Sequence, residues 1–438
     1  MANKSALNNY DFLLILSVII IAAIGIVTVY SAGYDPITDL NNNIYRRQML
    51  WFIIGFFTML AMTFVDYKIL GDYSLHIYGV LLLILVLTTY FGTPIRNTRA
   101  WISFGSFSIQ PSEFMKLGLI LVLAKYIEIR ERDIKHFREL LIPSLLTIIP
   151  VIFIVQQPDF GTAMIYIPLL FAILFVGGAD VSHLLSIILI AAISLLVPMV
   201  ITYREWSQQE ANSIIIEFFR GGYHLYMVSG ILFLIGAIAY VLHLIRVDRL
   251  YRRIYIPSFV ISLGLLFSVI IQRYFKEYQK KRILVFLDPN LDPFGSGYNV
   301  IQSKIAIGSG GFLGKGFLKG TQAQLGFLPE KTSDFIFAVV AEEWGFVGAS
   351  IVILLLFIII YRGLKIALET KDKFGAILAT GITSIFFFHT MINIGMAIGI
   401  MPVTGLPLSF VSYGGSNMLM AMIGVGLLIS IKMNRSVM

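Results

Sequence analysis

Asp334 stands at a border in this chain. It closes the polar run Pro329-Glu330-Lys331-Thr332-Ser333 and opens onto Phe335-Ile336-Phe337-Ala338-Val339-Val340, which places a carboxylate in the first turn of a membrane-spanning helix. An acid there can simply complement the helix dipole, and Ser333 or Asp334 can cap the helix. It can also act as a general base if it faces a polar cavity, because partial burial raises a carboxyl towards a useful range. Glu342 and Glu343 follow in the same helix, roughly 12 Å deeper at 1.5 Å per residue. Acids at that depth need partners, and a buried structural network is the expectation for at least one of them.

Other polar residues gather at the ends of apolar runs. Pro111 and Glu113 mark a helix start, and Lys116 lies three residues on, where it can pair with Glu113 or, with Arg99, line an anion site beside Trp101. Asp159, in Gln156-Gln157-Pro158-Asp159, can cap the next helix or help to build the same cavity. Gly308 to Gly320 is glycine-rich around Lys315, but position 309 is serine and Gly316 replaces the Ser/Thr of a Walker motif, so a nucleotide site is not expected. Backbone N–H groups there, with Lys315, can still cradle a pyrophosphate. Pro402 to Ser416, which includes Ser412 and Ser416, is irregular backbone that either packs tightly or lines a cavity. His389 and Asn393 share a helix face, and an interhelical hydrogen bond is the expected role. No HExxH, Ser/His/Asp set or metal-ligand cluster appears, so chemistry must use carboxylates, lysine and arginine.

The elements that must position these groups are transmembrane helices. The chain has 438 residues, 58% hydrophobic and 13% charged, with no cysteine, and a mean hydropathy of +0.84. A soluble domain is nearer a quarter charged. The class is all-α, a polytopic helical membrane protein. Apolar runs near 11–31, 48–66, 75–91, 112–128, 141–156, 161–179, 182–202, 223–245, 254–273, 335–361, 375–398 and 412–431 predict about 12 spans. The first of them is a span, not a cleaved leader. Basic clusters at 125–138, 246–253, 362–373 and 432–435 fall on one side with that count, which the positive-inside rule makes cytoplasmic, together with both termini. Arg46 and Arg47 are the exception. The polar 274–334 loop then lies outside, with the 92–111, 157–160 and 399–411 loops. External basic residues beside membrane-entering carboxylates favour an anionic, membrane-anchored substrate. A transporter or lipid flippase, or a non-catalytic scaffold, are the rival readings.

In combination these motifs resemble the SEDS family (shape, elongation, division, sporulation) of bacterial cell-wall polymerases. The matching pieces are RAWISFG, QPSEFMK, QQPDFGT, KKRILVFLDPNLDPFGSGYNVIQSKIAIGSGG, GKG, GTQ, FLPEKTSDFIFAVVAEEWG and MPVTGLPLSFVSYGGS, in family order along nearly the whole chain. GKG and GTQ are similar to the elongation branch. The resemblance implies a peptidoglycan glycosyltransferase of the bacterial inner membrane that polymerises lipid II into a growing glycan strand. Asp334 matches the family's essential acid, with Ser333 where Thr is usual. It implies a class B penicillin-binding transpeptidase and other elongation-complex membrane proteins as partners, and no nucleic acid. Arg99, Lys116, Arg282 and Lys315 are expected around the pyrophosphate, with Mg2+ or Mn2+ as a candidate cofactor. Trp101, Glu113, Asp159, Glu330, Glu343, Ser412 and Ser416 complete the expected substrate site. The family has ten spans, so 203–253 reads as an inserted helix pair in an otherwise single domain, 1–438.

Overall fold

The computed structural model describes residues 10–35, 40–95, 98–105, 107–206, 223–246, 248–274, 285–286, 288–289, 292 and 295–434. Arg96 lies outside the described residues, as do residues 275–284 (Arg282 among them) and positions 287, 290, 291, 293 and 294 of the 274–334 loop. The long helices are α1 Phe12–Gly33, α2 Ile44–Phe64, α3 Ser74–Phe91, α4 Pro111–Ile129, α5 Leu141–Gln156, α6 Phe160–Gly177, α7 Val181–Trp206, α8 Tyr223–Arg246, α9 Arg249–Tyr274, α10 Ile336–Glu369, α11 Lys373–Ile398 and α12 Gly415–Asn434. Among the described residues, 11 helices are long and apolar enough to cross a membrane. The exception among the twelve is α4, the predicted 112–128 span. Its 19 residues include Glu113, Lys116, Lys125 and Glu128. Its surroundings make up for those charges. It packs against α3, α5, α6, α11 and α12, and Glu113 and Lys116 both lie on its buried surface.

The chain divides into two compact units. One holds Asp180–Tyr298, in which α9 packs on both α7 and α8. Small and hydroxyl residues make the approach close there: Ser229 Oγ lies 3.1 Å from Ser262 Oγ, and Ser194 Oγ reaches Gly264 O at 3.2 Å. The expected insert, 203–253, falls within this unit, and its 207–222 loop lies outside the described residues.

The other unit, Met1–Ala179 with Asn299–Met438, carries all the described candidate site residues. Its two ends differ in chemistry. At one, buried Asp11 takes Arg362 Nη2 at 2.6 Å and Lys432 Nζ at 3.2 Å, and Lys373 pairs with Glu131 at 3.5 Å. Most of this unit's basic residues are gathered there. The other end carries short strands where the sequence predicts loop. β1 Tyr34–Asp35 pairs with β2 Leu40–Asn41, and β3 Thr93–Ile95, β4 Thr98–Phe104 and β5 Phe107–Ile109 form an antiparallel meander. Gly105, with φ +60°, supplies the left-handed turn between β4 and β5. Hydroxyls run across the meander, from Thr93 Oγ1 to Ser103 Oγ (2.9 Å) and on to Ser108 Oγ (3.0 Å).

α10 is broken. Gly345 adopts φ 65°, ψ −160°, which no other residue type adopts readily. The main chain of 311–316 fills the break: Lys315 N donates to Glu342 O and Gly316 N to Glu343 O, while Phe346 N and Val347 N donate to Gly311 O and Phe312 O. Every one of these groups would otherwise be an orphan at membrane depth.

Candidate active site

The centre of the site is the segment Pro402–Gly414. It has no regular structure, yet Leu406, Leu408, Phe410 and Val411 are fully buried. Irregular backbone at this depth must be held by neighbours, and neighbours from five elements hold it. From α11, His389 Nδ1 reaches Pro407 O (2.9 Å), and Asn393 Nδ2 donates to Leu406 O (2.7 Å). Gln48 of α2 donates to Ser412 O (3.0 Å) and accepts from Gly414 N (3.3 Å). Gly25 of α1 and Gly161 of α6 have no side chain where Phe410 O and Thr404 O approach. Ser412 Oγ accepts from Leu408 N (2.8 Å) and donates to Ser333 O (2.5 Å), which ties the segment to the turn carrying Asp334.

Asp334 is partly buried in that turn, one residue before the cap position. Neither Ser333 nor Asp334 caps α10: the N-cap is Phe335, with no side-chain capping bond. The turn is wound on Glu330, whose φ is +49° and whose carbonyl accepts from Ser333, Asp334 and Phe335 N–H. Asn393 Nδ2 also donates to Asp334 O at 2.8 Å. Gly405, with φ +79°, faces the carboxylate so closely that a Cβ there would lie 3.2 Å from Asp334 Oδ2.

Two further groups approach from the starts of α4 and α6. Glu113 and Lys116 form the expected pair at 2.9 Å, but deep inside the protein, and Lys116 Nζ also meets His389 Nε2 at 2.9 Å. Asp159 caps α6 through Thr162 N (3.1 Å), and its other oxygen accepts from Gln110 Nε2 (2.7 Å). Gln110 N in turn donates to Ser416 Oγ (2.8 Å). Burial pushes the Asp159 carboxyl up, against the lowering effect of Thr162, Lys116 and Gln110. Asp334, Glu113, Lys116 and Ser412 are therefore joined through one segment, and Asp159 reaches Ser416, in the first turn of the helix that follows it, through Gln110. The two serines spend their hydroxyls on backbone.

The remaining candidates sit apart from this network. Lys315 Nζ lies 2.8 Å from Glu342 Oε1, whose carboxylate also takes Thr321 Oγ1, Gln322 N and Ala323 N. Glu343 accepts from Ser31 Oγ and Gln324 Nε2. This second network joins the 315–324 loop to α10 and α1 and is the structural cluster expected for the paired acids. Arg99 is exposed and Trp101 partly buried, two residues apart on β4 and so on one face. Glu330 Oε2 accepts from Ser333 Oγ at 3.3 Å. Gln48 and Gln110 were missed by sequence reasoning; their only signal is a lone amide at the edge of an apolar run. Among the described residues no three His, Asp or Glu side chains form a metal-binding group.

A many-span helical membrane protein with irregular, polar-lined backbone buried at one end is the class these features define. Within that class the chain belongs to the FtsW/RodA/SpoVE family, described as cell cycle protein, which it matches over residues 11–226 and 222–437. It is 34% identical to peptidoglycan glycosyltransferase RodA of Treponema pallidum (strain Nichols), over 97% of this chain and 98% of that one. It is 31% identical to peptidoglycan glycosyltransferase MrdB of Escherichia coli (strain K12), over 99% and 95%. A chain of a peptidoglycan synthase complex, solved to show how polymerization and crosslinking are coordinated, superposes with a TM-score of 0.67 at 28% identity, over 97% and 98%. Thermus thermophilus RodA superposes with 0.59 at 25%, over 97% of each chain.

Proposed function

We propose that this chain is a peptidoglycan glycosyltransferase that extends glycan strands from lipid II, with Asp334 as general base. The observation that carries the assignment of the acid is that Asp334 neither caps nor begins α10. Its carboxylate is turned to Gly405, and its main chain is fixed by Asn393. A residue present only for helix stability needs none of this.

Asp334 takes the proton of the acceptor sugar's 4-hydroxyl as that oxygen bonds to the donor's anomeric carbon. The bond from that carbon to the pyrophosphate breaks, and undecaprenyl pyrophosphate leaves with the electron pair. Lys116 supplies positive charge beneath Pro407, in protein where its field is little screened, and opposes the negative charge that grows on the leaving group. Arg99 and Trp101 offer an exposed cation and an aromatic wall at the same end of the molecule. No step is routed through a metal ion.

The site end faces the outside of the cytoplasmic membrane in this reading, with both termini inside and the 274–334 loop outside. The 203–253 segment is an addition to a ten-span core. The partner is a class B penicillin-binding transpeptidase, which cross-links what this chain polymerises. Support comes from the synthase complex whose chain this one resembles.

Asp334→Asn tests the proposal. It keeps the shape and removes the base, so purified variant given labelled lipid II in detergent should lose about 10²–10⁴-fold in rate, roughly 3–5 kcal/mol of barrier. A variant polymerising within a few-fold of the parent would sink the assignment of Asp334. Strand synthesis by the parent in detergent also separates a polymerase from a flippase or a scaffold.

A further inference from the structure

His389 lies in the middle of the network, fully buried on α11, and its two ring nitrogens face different kinds of partner. Nδ1 is 2.9 Å from Pro407 O, and Nε2 is 2.9 Å from Lys116 Nζ. A carbonyl oxygen can only accept, so Nδ1 carries a proton. An ammonium can only donate, so Nε2 presents its lone pair. The two contacts therefore fix a neutral imidazole in one tautomer, with no freedom to turn the ring over.

The consequence falls on Lys116. An ammonium has three donors. Glu113 Oε1 takes one at 2.9 Å and His389 Nε2 a second at 2.9 Å, which fixes the direction of the third. Without the imidazole, one carboxylate oxygen would be the sole protein acceptor among the described residues, and a flexible lysine head could swing about it. The same ring grips Pro407, two residues from the Gly405 that abuts Asp334.

We infer that His389 is a positioning residue of the transfer reaction: through Nε2 it aims the Lys116 ammonium, and through Nδ1–H it ties that aim to the segment bordering Asp334. This rests on the reading of Lys116 as the charge that opposes the departing pyrophosphate.

Two conservative variants separate the halves of the contact. A glutamine places its carbonyl oxygen near the position of Nε2, so His389→Gln retains the acceptor for Lys116. An asparagine places its amide near Nδ1, so His389→Asn retains the donor to Pro407 and leaves Lys116 without its acceptor. A hydrogen bond to a charged group is worth about ten- to a hundred-fold in an equilibrium or rate. The expected result is that His389→Gln keeps most of the parent's kcat with lipid II. His389→Asn should lose about ten- to a hundred-fold, mainly in kcat, while both melt within a few degrees of each other. A merely structural histidine would give parallel losses in rate and melting temperature. Equal rates in the two variants, or a smaller loss in His389→Asn, would overturn the proposal.

Lys116→Gln tests the underlying reading by itself. A parental rate in that variant would remove Lys116 from the reaction, and the role of His389 with it. A large loss there, with the Asn and Gln variants at 389 equal, would overturn the His389 proposal alone. A further check needs no active variant. In 15N-histidine-labelled parent protein, one of the six histidines should be a neutral Nδ1–H tautomer whose Nε2 resonance moves in Lys116→Met. An Nε2–H tautomer at 389 would refute the geometry outright.

Discussion

Lys315→Met decides between two roles for a lysine that looks, in the sequence, like a phosphate ligand. The side chain of Glu342 is fully enclosed, and Lys315, with a quarter of its side chain exposed, lies 2.8 Å away. Removing the ammonium leaves the carboxylate with Thr321 Oγ1, Gln322 N and Ala323 N as its remaining donors, at 3.0, 2.9 and 3.2 Å. Breaking a fully buried ion pair costs about 3–5 kcal/mol. Water replaces part of a quarter-exposed partner, and three neutral donors persist, so about 1–3 kcal/mol is expected here. The main-chain bond from Lys315 N to Glu342 O survives the substitution, which keeps the loop's path intact. Thermal denaturation of the detergent-solubilised protein should show a fall of a few degrees. Glu342→Gln combined with Lys315→Met should recover part of that fall, because the two losses share one contact. Polymerisation per folded molecule should stay within a few-fold of the parent. Parental melting with a tenfold rise in KM for lipid II would refute the anchoring role and return Lys315 to the substrate.

Two further outcomes follow from close contacts at the two ends of the molecule. Gly405→Ala should cut polymerisation at least tenfold, because its φ of +79° strains any side chain and the new methyl meets Asp334 Oδ2 at 3.2 Å; Gly178→Ala, with φ +97° but open space around it, is the stability control. Burial alone would raise the Asp11 carboxyl, but bonds from Arg362, Leu14 N–H and Lys432 outweigh it and hold it below the usual range. A depressed carboxyl contributes stability above its unfolded pKa and loses it as pH falls through the folded value. Asp11→Asn should therefore melt below the parent at neutral pH, and the two curves should converge as acid carries the pH below the ordinary carboxylate range and through the depressed folded value.

Much of the fold was legible because membrane spans announce themselves by length and apolarity. Even α4 was visible with four charges, since Pro111 and Glu113 mark its start and the apolar run behind them is long enough. The meander at 93–109 was not. Thr98-Arg99-Ala100-Trp101-Ile102-Ser103 has no polar–apolar alternation to mark a strand, and a short segment between two spans reads as loop by default. The break at Gly345 was hidden for a different reason. Apolar residues continue on both sides of it, and the break is stable only because residues 311–316 supply its hydrogen bonds.

Within the site, local relations could be read and distant ones could not. Glu113 with Lys116, and Asp159 with Thr162, are three residues apart, so helix geometry alone pairs them. The bonds from Gln110 to Asp159 and Ser416 cross 49 and 306 positions, and no spacing rule reaches that far. Charge by itself was also a poor guide, because Lys116 and Lys315 look alike in the sequence. Their carboxylate partners tell them apart. Glu342 is saturated by four donors, as a residue selected for stability should be. Among the described residues Glu113 Oε2 has no partner, and neither do Ser112 Oγ, Asn393 Oδ1, Thr404 Oγ1 or Ser409 Oγ, all buried in the unit that holds Asp334. Each unpaired buried polar atom costs about 1–3 kcal/mol. Gln322 Oε1 and Gln324 Oε1, beside Glu342 and Glu343, are in the same condition, so what separates the two lysines is the carboxylate itself: Glu342 is saturated, and Glu113 keeps one oxygen without a partner among the described residues.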